Sequence, residues 1–108
     1  MRLRWLRDAR ADVRRIGRYI AHDNVDAAER VTTRIVEAID LLTDQPGIGR
    51  PGRIIGTREL VISGTPYIAA YRVRETTVEI IAVIHGAQRW PESFEDRLPA
   101  PPRRQPKG

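Results

Sequence analysis

One stretch of the chain decides the fold: GRPGRIIGTRELVISGTPYIAAYRVRETTVEIIAVIHGAQRWP, from Gly49 to Pro91. It begins as a loop rich in glycine and proline, and it continues as three apolar segments rich in the β-branched and aromatic residues that favour strands. Turn-forming residues separate these segments at 63–66 and 75–77. We therefore predict three consecutive strands, over Arg58–Ile62, Tyr67–Arg74 and Val78–His85.

Two amphipathic helices are predicted before this stretch, because apolar residues recur there at steps of three and four. The first helix has Asp8 as its expected N-cap and ends near Asp23, and a short strand around Leu3–Trp5 precedes it. The second helix opens with Asp26 and Glu29 at capping-box spacing. The apolar stripes are Leu6, Ala9, Val13, Ile16 and Ile20 in the first helix, and Ala28, Val31, Ile35, Ala38, Ile39 and Leu42 in the second.

The predicted fold class is α+β with the order β-α-α-β-β-β, in which a helical hairpin packs on a small antiparallel sheet. Ile16 and Ile35 should be buried between the helices, and Ile80, Ala82 and Ile84 should share one face of the sheet. The face of the sheet away from the helices should be exposed and form the working surface. Residues 1–95 should form the domain, and residues 96–108, rich in proline and arginine, should form a disordered tail.

Composition narrows the class of protein. The chain has 108 residues, a net charge of +5 and no cysteine, so disulfides and thiolate metal sites are excluded. Eighteen of its 19 basic residues are arginine, and this charge balance favours an anionic partner. No apolar run is long enough to span a membrane and no signal peptide is evident, so we expect a cytoplasmic protein. The two histidines lack metal-ligand spacing, and neither a metal nor a cofactor is predicted.

Four short segments in the deciding stretch resemble the C-terminal half of the RelE/ParE superfamily of bacterial toxins. They are Gly49-Arg50, GTREL from Gly56 to Leu60, PYIAAYRV from Pro66 to Val73, and VIHGAQRWP from Val83 to Pro91. With the two helices, the resemblance covers about residues 1–95. It implies the same fold, a helical hairpin on an antiparallel sheet, and a cognate ParD-like antitoxin as partner.

The resemblance leaves the target open between DNA gyrase and messenger RNA. Superfamily members that cut mRNA on the ribosome carry lysines where this chain has Glu59 and Val61, and an arginine where it has Ile68. They end on a tyrosine where this chain has Phe94, which has no hydroxyl to donate. The pattern therefore resembles the ParE branch, whose members act on gyrase without catalysis. The alternatives are a RelE-like endoribonuclease and a toxin-fold protein that only binds its antitoxin and represses its operon.

Six residues are predicted to contact partners, and none is predicted to be catalytic. The predicted contacts are Arg58, Tyr71, Arg72, His85, Arg89 and Trp90. A structural role competes with the partner role at several of them. His85 closes an apolar strand and suits a hydrogen-bonded position, Trp90 suits a packing anchor, and Arg72 suits an ion pair with a nearby glutamate. A homodimer, or a hetero-oligomer with the antitoxin, also remains open.

Overall fold

The structure, a computed structural model, describes residues 1–99 and confirms the predicted α+β class. Residues 100–108, most of the predicted tail, lie outside the described residues. The elements are β1 (Arg2–Trp5), α1 (Arg7–Ala21), α2 (Val25–Asp40), a 3-10 turn (Leu41–Thr43), β2 (Arg50–Pro51), β3 (Arg58–Val61), β4 (Tyr67–Arg74) and β5 (Thr77–His85). Two of them, the 3-10 turn and the two-residue strand β2, were not predicted.

The five strands form one sheet in the order β1-β5-β4-β3-β2. Strand β1 runs parallel to β5, with Leu3 opposite Val78, whereas all other neighbours are antiparallel. The first strand of the chain therefore pairs with the last one. Proline at the second position of β2 suits an edge strand, because a proline has no N–H to offer to a further neighbour.

The helices begin at different residues from those predicted. Helix α1 starts at Arg7 after Leu6, which makes no side-chain cap, so Asp8 lies in the first turn, where its charge suits the helix dipole. Helix α2 is capped by Asn24, whose side chain accepts a hydrogen bond from the Ala27 N–H at 2.9 Å. The predicted caps at Asp8 and Asp26 are therefore wrong. Asn24 is a better cap than Asp26 here because its extended backbone leaves the amide oxygen facing the first turn.

The main core lies between the helical hairpin and the sheet. Ile16 is 7% exposed and Ile35 is fully buried, which confirms the predicted burial of these two residues. They pack with strand residues from β4 and β5, among them Tyr67, Ala69, Tyr71, Val78, Ile80 and Val83.

A bulge in β5 corrects one prediction about the sheet. Ala70 pairs with Ala82, but the next residue, Tyr71, pairs with Ile80, so Ile81 is an extra residue on β5. Because side chains alternate along a strand, one extra residue moves the following positions to the opposite face. Ile80 therefore packs in the main core, whereas Ala82 and Ile84 belong to a second cluster.

The second cluster lies on the sheet face away from the helices. Residues 86–98, here called the C-terminal segment, run back over this face, and Phe94 is only 3% exposed there. The cluster consists of Leu6, Ala70, Ile81, Ala82 and Phe94, with Ile54, Ile84, Trp90 and Leu98 packed against it. The expectation of an open sheet face therefore holds only in part. Leu98 contacts the cluster although the predicted domain ended at residue 95, and that boundary stays a prediction.

Candidate partner-binding surface

Glu59 is the centre of an arginine cluster on the sheet face away from the helices. Its carboxylate is 2% exposed and accepts hydrogen bonds from the Arg53 backbone N–H at 2.7 Å, from Arg53 Nε at 3.1 Å and from Arg50 Nη2 at 3.0 Å. Burial alone would raise the pKa of Glu59, but the hydrogen bonds from Arg53 and Arg50 outweigh it and hold that pKa below its usual range. Glu59 is therefore an ionised anchor for the loop between β2 and β3.

Arg53 connects this cluster to the C-terminal segment. Its guanidinium lies 3.8 Å from the centre of the Trp90 ring, a cation–π contact. Trp90 also packs against the second cluster, as the competing interpretation of this residue as a packing anchor expects. Within residues 1–99, its indole N–H is buried and has no hydrogen-bond acceptor. Trp90 therefore holds the segment on the sheet, and its role as a partner contact stays a prediction.

A second carboxylate on the same face, Glu79, organises three more arginines. Arg72 Nε donates to it at 2.7 Å, and Arg4 and Arg74 approach it to 3.8 and 3.9 Å. Glu79 is 3% exposed, so the pair with Arg72, itself largely covered, is well protected from water. The predicted partner contact Arg72 is thus already engaged within the chain, as the competing ion-pair interpretation expected.

Asp12 fastens the C-terminal segment to α1 and to the open edge of β5. Beyond Ile80, β5 has no strand neighbour on the β1 side. The Asp12 carboxylate therefore accepts the Val83 N–H at 3.0 Å, where a neighbouring strand would have supplied a carbonyl oxygen. Arg97 donates to Asp12 at 2.6 Å and to the Ile81 carbonyl oxygen at 3.2 Å. Asp12 is 1% exposed, so this clasp satisfies a carboxylate and two backbone groups that would otherwise be buried without partners.

Tyr71 is buried rather than available at the surface, which corrects its prediction as a partner contact. Its hydroxyl donates to the Pro46 carbonyl oxygen at 2.8 Å and accepts the Gly49 N–H at 2.9 Å. Burial raises the pKa of Tyr71 despite the Gly49 hydrogen bond. Arg58 is held beside it and donates to the Gly49 carbonyl oxygen at 2.8 Å. A side chain at Gly49 would collide with the phenol ring, so glycine is needed there.

A cleft of about 470 Å³ opens on the other face of the sheet, between α1 and the end of β5. Ile16, Tyr67 and Val83 contribute apolar walls, Tyr19 lies at the rim with 78% exposure, and His85 closes one end. The remaining lining residues are Arg15, Ala87 and Gln88.

His85 is fixed at the end of this cleft by two contacts. Its ring packs edge-on against the Tyr67 ring, with 5.6 Å between the ring centroids. Its Nδ1 accepts a hydrogen bond from the Ala87 N–H at 3.0 Å. The competing interpretation of a hydrogen-bonded structural histidine expects such contacts, and the role of His85 as a partner contact stays a prediction.

The structure separates the six predicted contacts into three groups. Arg58 in β3 and Tyr71 in β4 contact the loop before β2. Arg72 belongs to the Glu79 cluster. The third group runs from the end of β5 into the C-terminal segment and consists of His85, Arg89 and Trp90. Arg89 is exposed.

The sequence interpretation missed Asp12, Arg53 and Arg97. Asp12 alone gave a signal, as a carboxylate next to the apolar stripe of its helix. Arg15, which donates to it at 2.8 Å, is a local partner, but Val83 and Arg97 lie 71 and 85 residues away.

A helical hairpin on one face of a small sheet, with a fastened C-terminal segment on the other, is the architecture expected for the RelE/ParE superfamily of toxins. The model of the family described as "ParE toxin of type II toxin-antitoxin system, parDE" matches residues 3–90. The chain therefore belongs to the ParE toxin family of type II toxin–antitoxin systems.

Individual relatives agree with this assignment. A protein of Sinorhizobium fredii named "Putative toxin Y4kP" is 48% identical over 91 residues, covering 84% of this chain and 94% of that protein. The toxin RelE2 of Caulobacter vibrioides is 34% identical over 84 residues, covering 78% of this chain and 93% of that one. A solved chain from the chromosomal ParDE system of P. aeruginosa superposes with a TM-score of 0.71 at 30% identity, covering 79% of this chain and 95% of that chain.

Two further observations concern residues 1–99 alone. None of the helices there has the length and apolarity needed to cross a membrane. No group of three or more histidine or acidic side chains in that range is placed to hold a metal ion.

Proposed function

We propose that this toxin acts in the cytoplasm by binding DNA gyrase and that a ParD-like antitoxin neutralises it. The observation that carries the proposal is the separation of Glu59 and His85, a carboxylate and an imidazole that a ribonuclease could use as base and acid. Glu59 pairs with Ala70, which packs in the second cluster, whereas His85 stacks on Tyr67, which packs in the main core. Glu59 and His85 therefore lie on opposite faces of the sheet.

This separation disfavours the ribonuclease alternative. Cleavage of RNA at the 2′-hydroxyl needs a base and an acid within hydrogen-bond reach of one phosphodiester. Glu59 is a weak base because its pKa is lowered and both of its oxygens already accept hydrogen bonds. Tyr71 offers no free hydroxyl because both of its hydrogen bonds are made inside the chain. A binder that stabilises one state of gyrase needs none of these groups.

The cleft between α1 and β5 is the proposed docking position for the antitoxin. Its walls are apolar, and Arg15 lines it with a side chain that is 63% exposed, although its Nη2 also donates to Asp12 at 2.8 Å. An acidic amphipathic segment would bury its apolar side chains against Ile16 and Val83 and place a carboxylate near Arg15. The net charge of +5 favours such an acidic partner over a basic one.

Paired assays on the purified full chain test the target. The chain should inhibit gyrase supercoiling or cause cleaved DNA to accumulate, and it should leave mRNA on translating ribosomes intact. Cleavage of mRNA that disappears with His85→Ala would refute the proposal in favour of an endoribonuclease. A chain that affects neither gyrase nor mRNA but still binds its antitoxin would support the third alternative, a protein without toxicity.

Antitoxin docking is tested with two exposed apolar residues. Tyr19→Ala removes the aromatic rim of the cleft, and Val25→Ala removes a side chain that is 68% exposed at the start of α2. Tyr19→Ala should weaken binding of the adjacently encoded antitoxin by about tenfold or more, as expected for an aromatic contact in an interface. Val25→Ala should leave binding within about twofold. Equal effects of the two substitutions would place the antitoxin elsewhere on the toxin.

A further inference from the structure

Helix α1 presents an arginine stripe to solvent, made of Arg7, Arg10, Arg14 and Arg18. All four residues are exposed. At 100° per residue they fall within an arc of about 80°, and at 1.5 Å per residue they span about 16 Å along the helix. Ala11 and Ala21 are the neighbours of the stripe on this face, so no large side chain separates the guanidinium groups from an approaching surface.

The stripe is not neutralised by the described part of the chain. Among residues 1–99, none of its four arginines takes part in an ion pair within 4.0 Å. The two acids of α1 are not exposed beside the stripe, since Asp12 is buried and Asp8 is half-buried. Helix α2 mixes both signs, with Arg30 and Arg34 among Asp26, Glu29, Glu37 and Asp40.

The concentration of four arginines on one face of α1, without an acid among them, destabilises the helix. Arg10, Arg14 and Arg18 are spaced four apart, and like charges at this spacing repel one another. Arg7 opens the helix, where the dipole favours an anion over a cation. A preference for arginine codons would add arginines to both helices, yet it would not remove every acid from one face of α1 alone. A partner that supplies negative charge explains the stripe.

Duplex DNA is the anionic partner that fits this surface. A membrane is disfavoured because the apolar face of α1 is buried in the core, as Ala9 and Ile16 show. A protein partner would need a large apolar or aromatic anchor at the centre of the contact, and the stripe has only alanines there. Duplex DNA carries about one negative charge per 1.7 Å of its axis, so a straight row of cations meets several phosphates at once.

We propose that the arginine stripe of α1 binds the phosphate backbone of duplex DNA without reading its base sequence. The stripe lies outside the cleft, the Glu59 cluster and the Glu79 cluster, so the inference does not depend on the proposed action on gyrase. Each arginine that neutralises a phosphate adds about 0.9 to the slope of log affinity against log salt concentration. Four arginines therefore predict a slope of about −4, apart from any contribution of the rest of the chain.

The test measures fluorescence anisotropy of a labelled duplex of random sequence with the full chain at several salt concentrations. The variant Arg10→Gln/Arg14→Gln removes two charges from the stripe. The control Arg4→Gln/Arg74→Gln removes two charges from the opposite side of the sheet, where Arg72 still holds Glu79 at 2.7 Å. The stripe variant should reduce the slope by about two and the affinity roughly 30-fold near 0.15 M salt, because each contact contributes a factor of about five. The control should change affinity less than about threefold.

Several outcomes would overturn the inference. Wild-type protein that fails to bind duplex DNA at low salt would do so, as would equal weakening by both double variants, which would mean that only net charge matters. Tighter binding of single-stranded RNA than of duplex DNA would assign the stripe to a different nucleic acid. Binding of polyglutamate without binding of DNA would assign it to an acidic protein. If the double variant does not fold by circular dichroism, Arg14→Gln and Arg18→Gln each test the same expectation, a slope lower by about one.

Discussion

Replacing Asp12 with alanine should lower the free energy of unfolding by about 2–4 kcal/mol. The carboxylate is 1% exposed and accepts the Val83 N–H, which would be left buried without a partner at a cost of about 1–3 kcal/mol. Breaking a fully buried ion pair costs about 3–5 kcal/mol. The Arg97 side chain is 26% exposed, so its guanidinium regains some water in the variant and the expected loss is smaller.

Urea and thermal unfolding followed by far-ultraviolet circular dichroism measure this loss. A small domain loses about 4–8 °C of Tm per kcal/mol, so Tm should fall by roughly 10–30 °C. Asp8→Ala is the matched control, since Asp8 lies on the same helix but is only half-buried, and it should cost less than about 1 kcal/mol. In a double-mutant cycle, Asp12→Ala and Arg97→Ala should show a coupling of about 0.5–3 kcal/mol. A loss of unfolding free energy below about 0.5 kcal/mol in Asp12→Ala would contradict the stabilising role of the contacts that Asp12 makes with Val83 and Arg97.

Three further predictions concern the core, the Glu59 cluster and the C-terminal segment. Ile35→Ala should cost about 2–5 kcal/mol in urea unfolding because the side chain is fully buried, and a loss well below 1 kcal/mol would contradict the helix packing. The folded pKa of Glu59 is lowered from 4.5, so its contribution to stability is present above that value and is lost as pH falls through the lower folded pKa. Glu59→Gln should flatten the decline of Tm with pH below about 4.5, and an unchanged decline would exclude this carboxylate as its source. In growth assays, Arg89→Glu and Trp90→Ala should weaken toxicity in a graded way while His85→Ala retains much of it, and abolition by His85→Ala alone would indicate catalysis.

Local patterns in the sequence predicted the order of the elements because each pattern depends on neighbouring residues. The apolar stripe that includes Ile16 and the stripe that includes Ile35 identified both helices, and the apolar runs from Tyr67 and from Val78 identified β4 and β5. The bulge at Ile81 could not be predicted, because an apolar run shows no change of phase when every residue in it is apolar. The sequence therefore placed Ile80, Ala82 and Ile84 on one face, whereas Ile80 lies on the face opposite to the other two.

The candidate site was less predictable because its contacts join distant parts of the chain. Asp12 stands next to the apolar stripe of its helix, but the sequence does not show that Val83 and Arg97 are its partners. Tyr71 looks like an aromatic contact for a partner until the loop at Pro46 and Gly49 covers its hydroxyl. Residue type suggested that these side chains matter, but only the tertiary arrangement shows that they serve the fold.

The parallel pairing of β1 with β5 has a consequence for how the toxin is made. Arg2 lies opposite Thr77, so β1 leaves the ribosome well before β5 and has no strand partner until β5 has followed it. Pairing across such a separation is slow, because a long loop must close before any contact is gained. Nascent chains stalled before Thr77 should therefore remain sensitive to protease. The topology of the sheet therefore delays completion of the fold until β5 has been made.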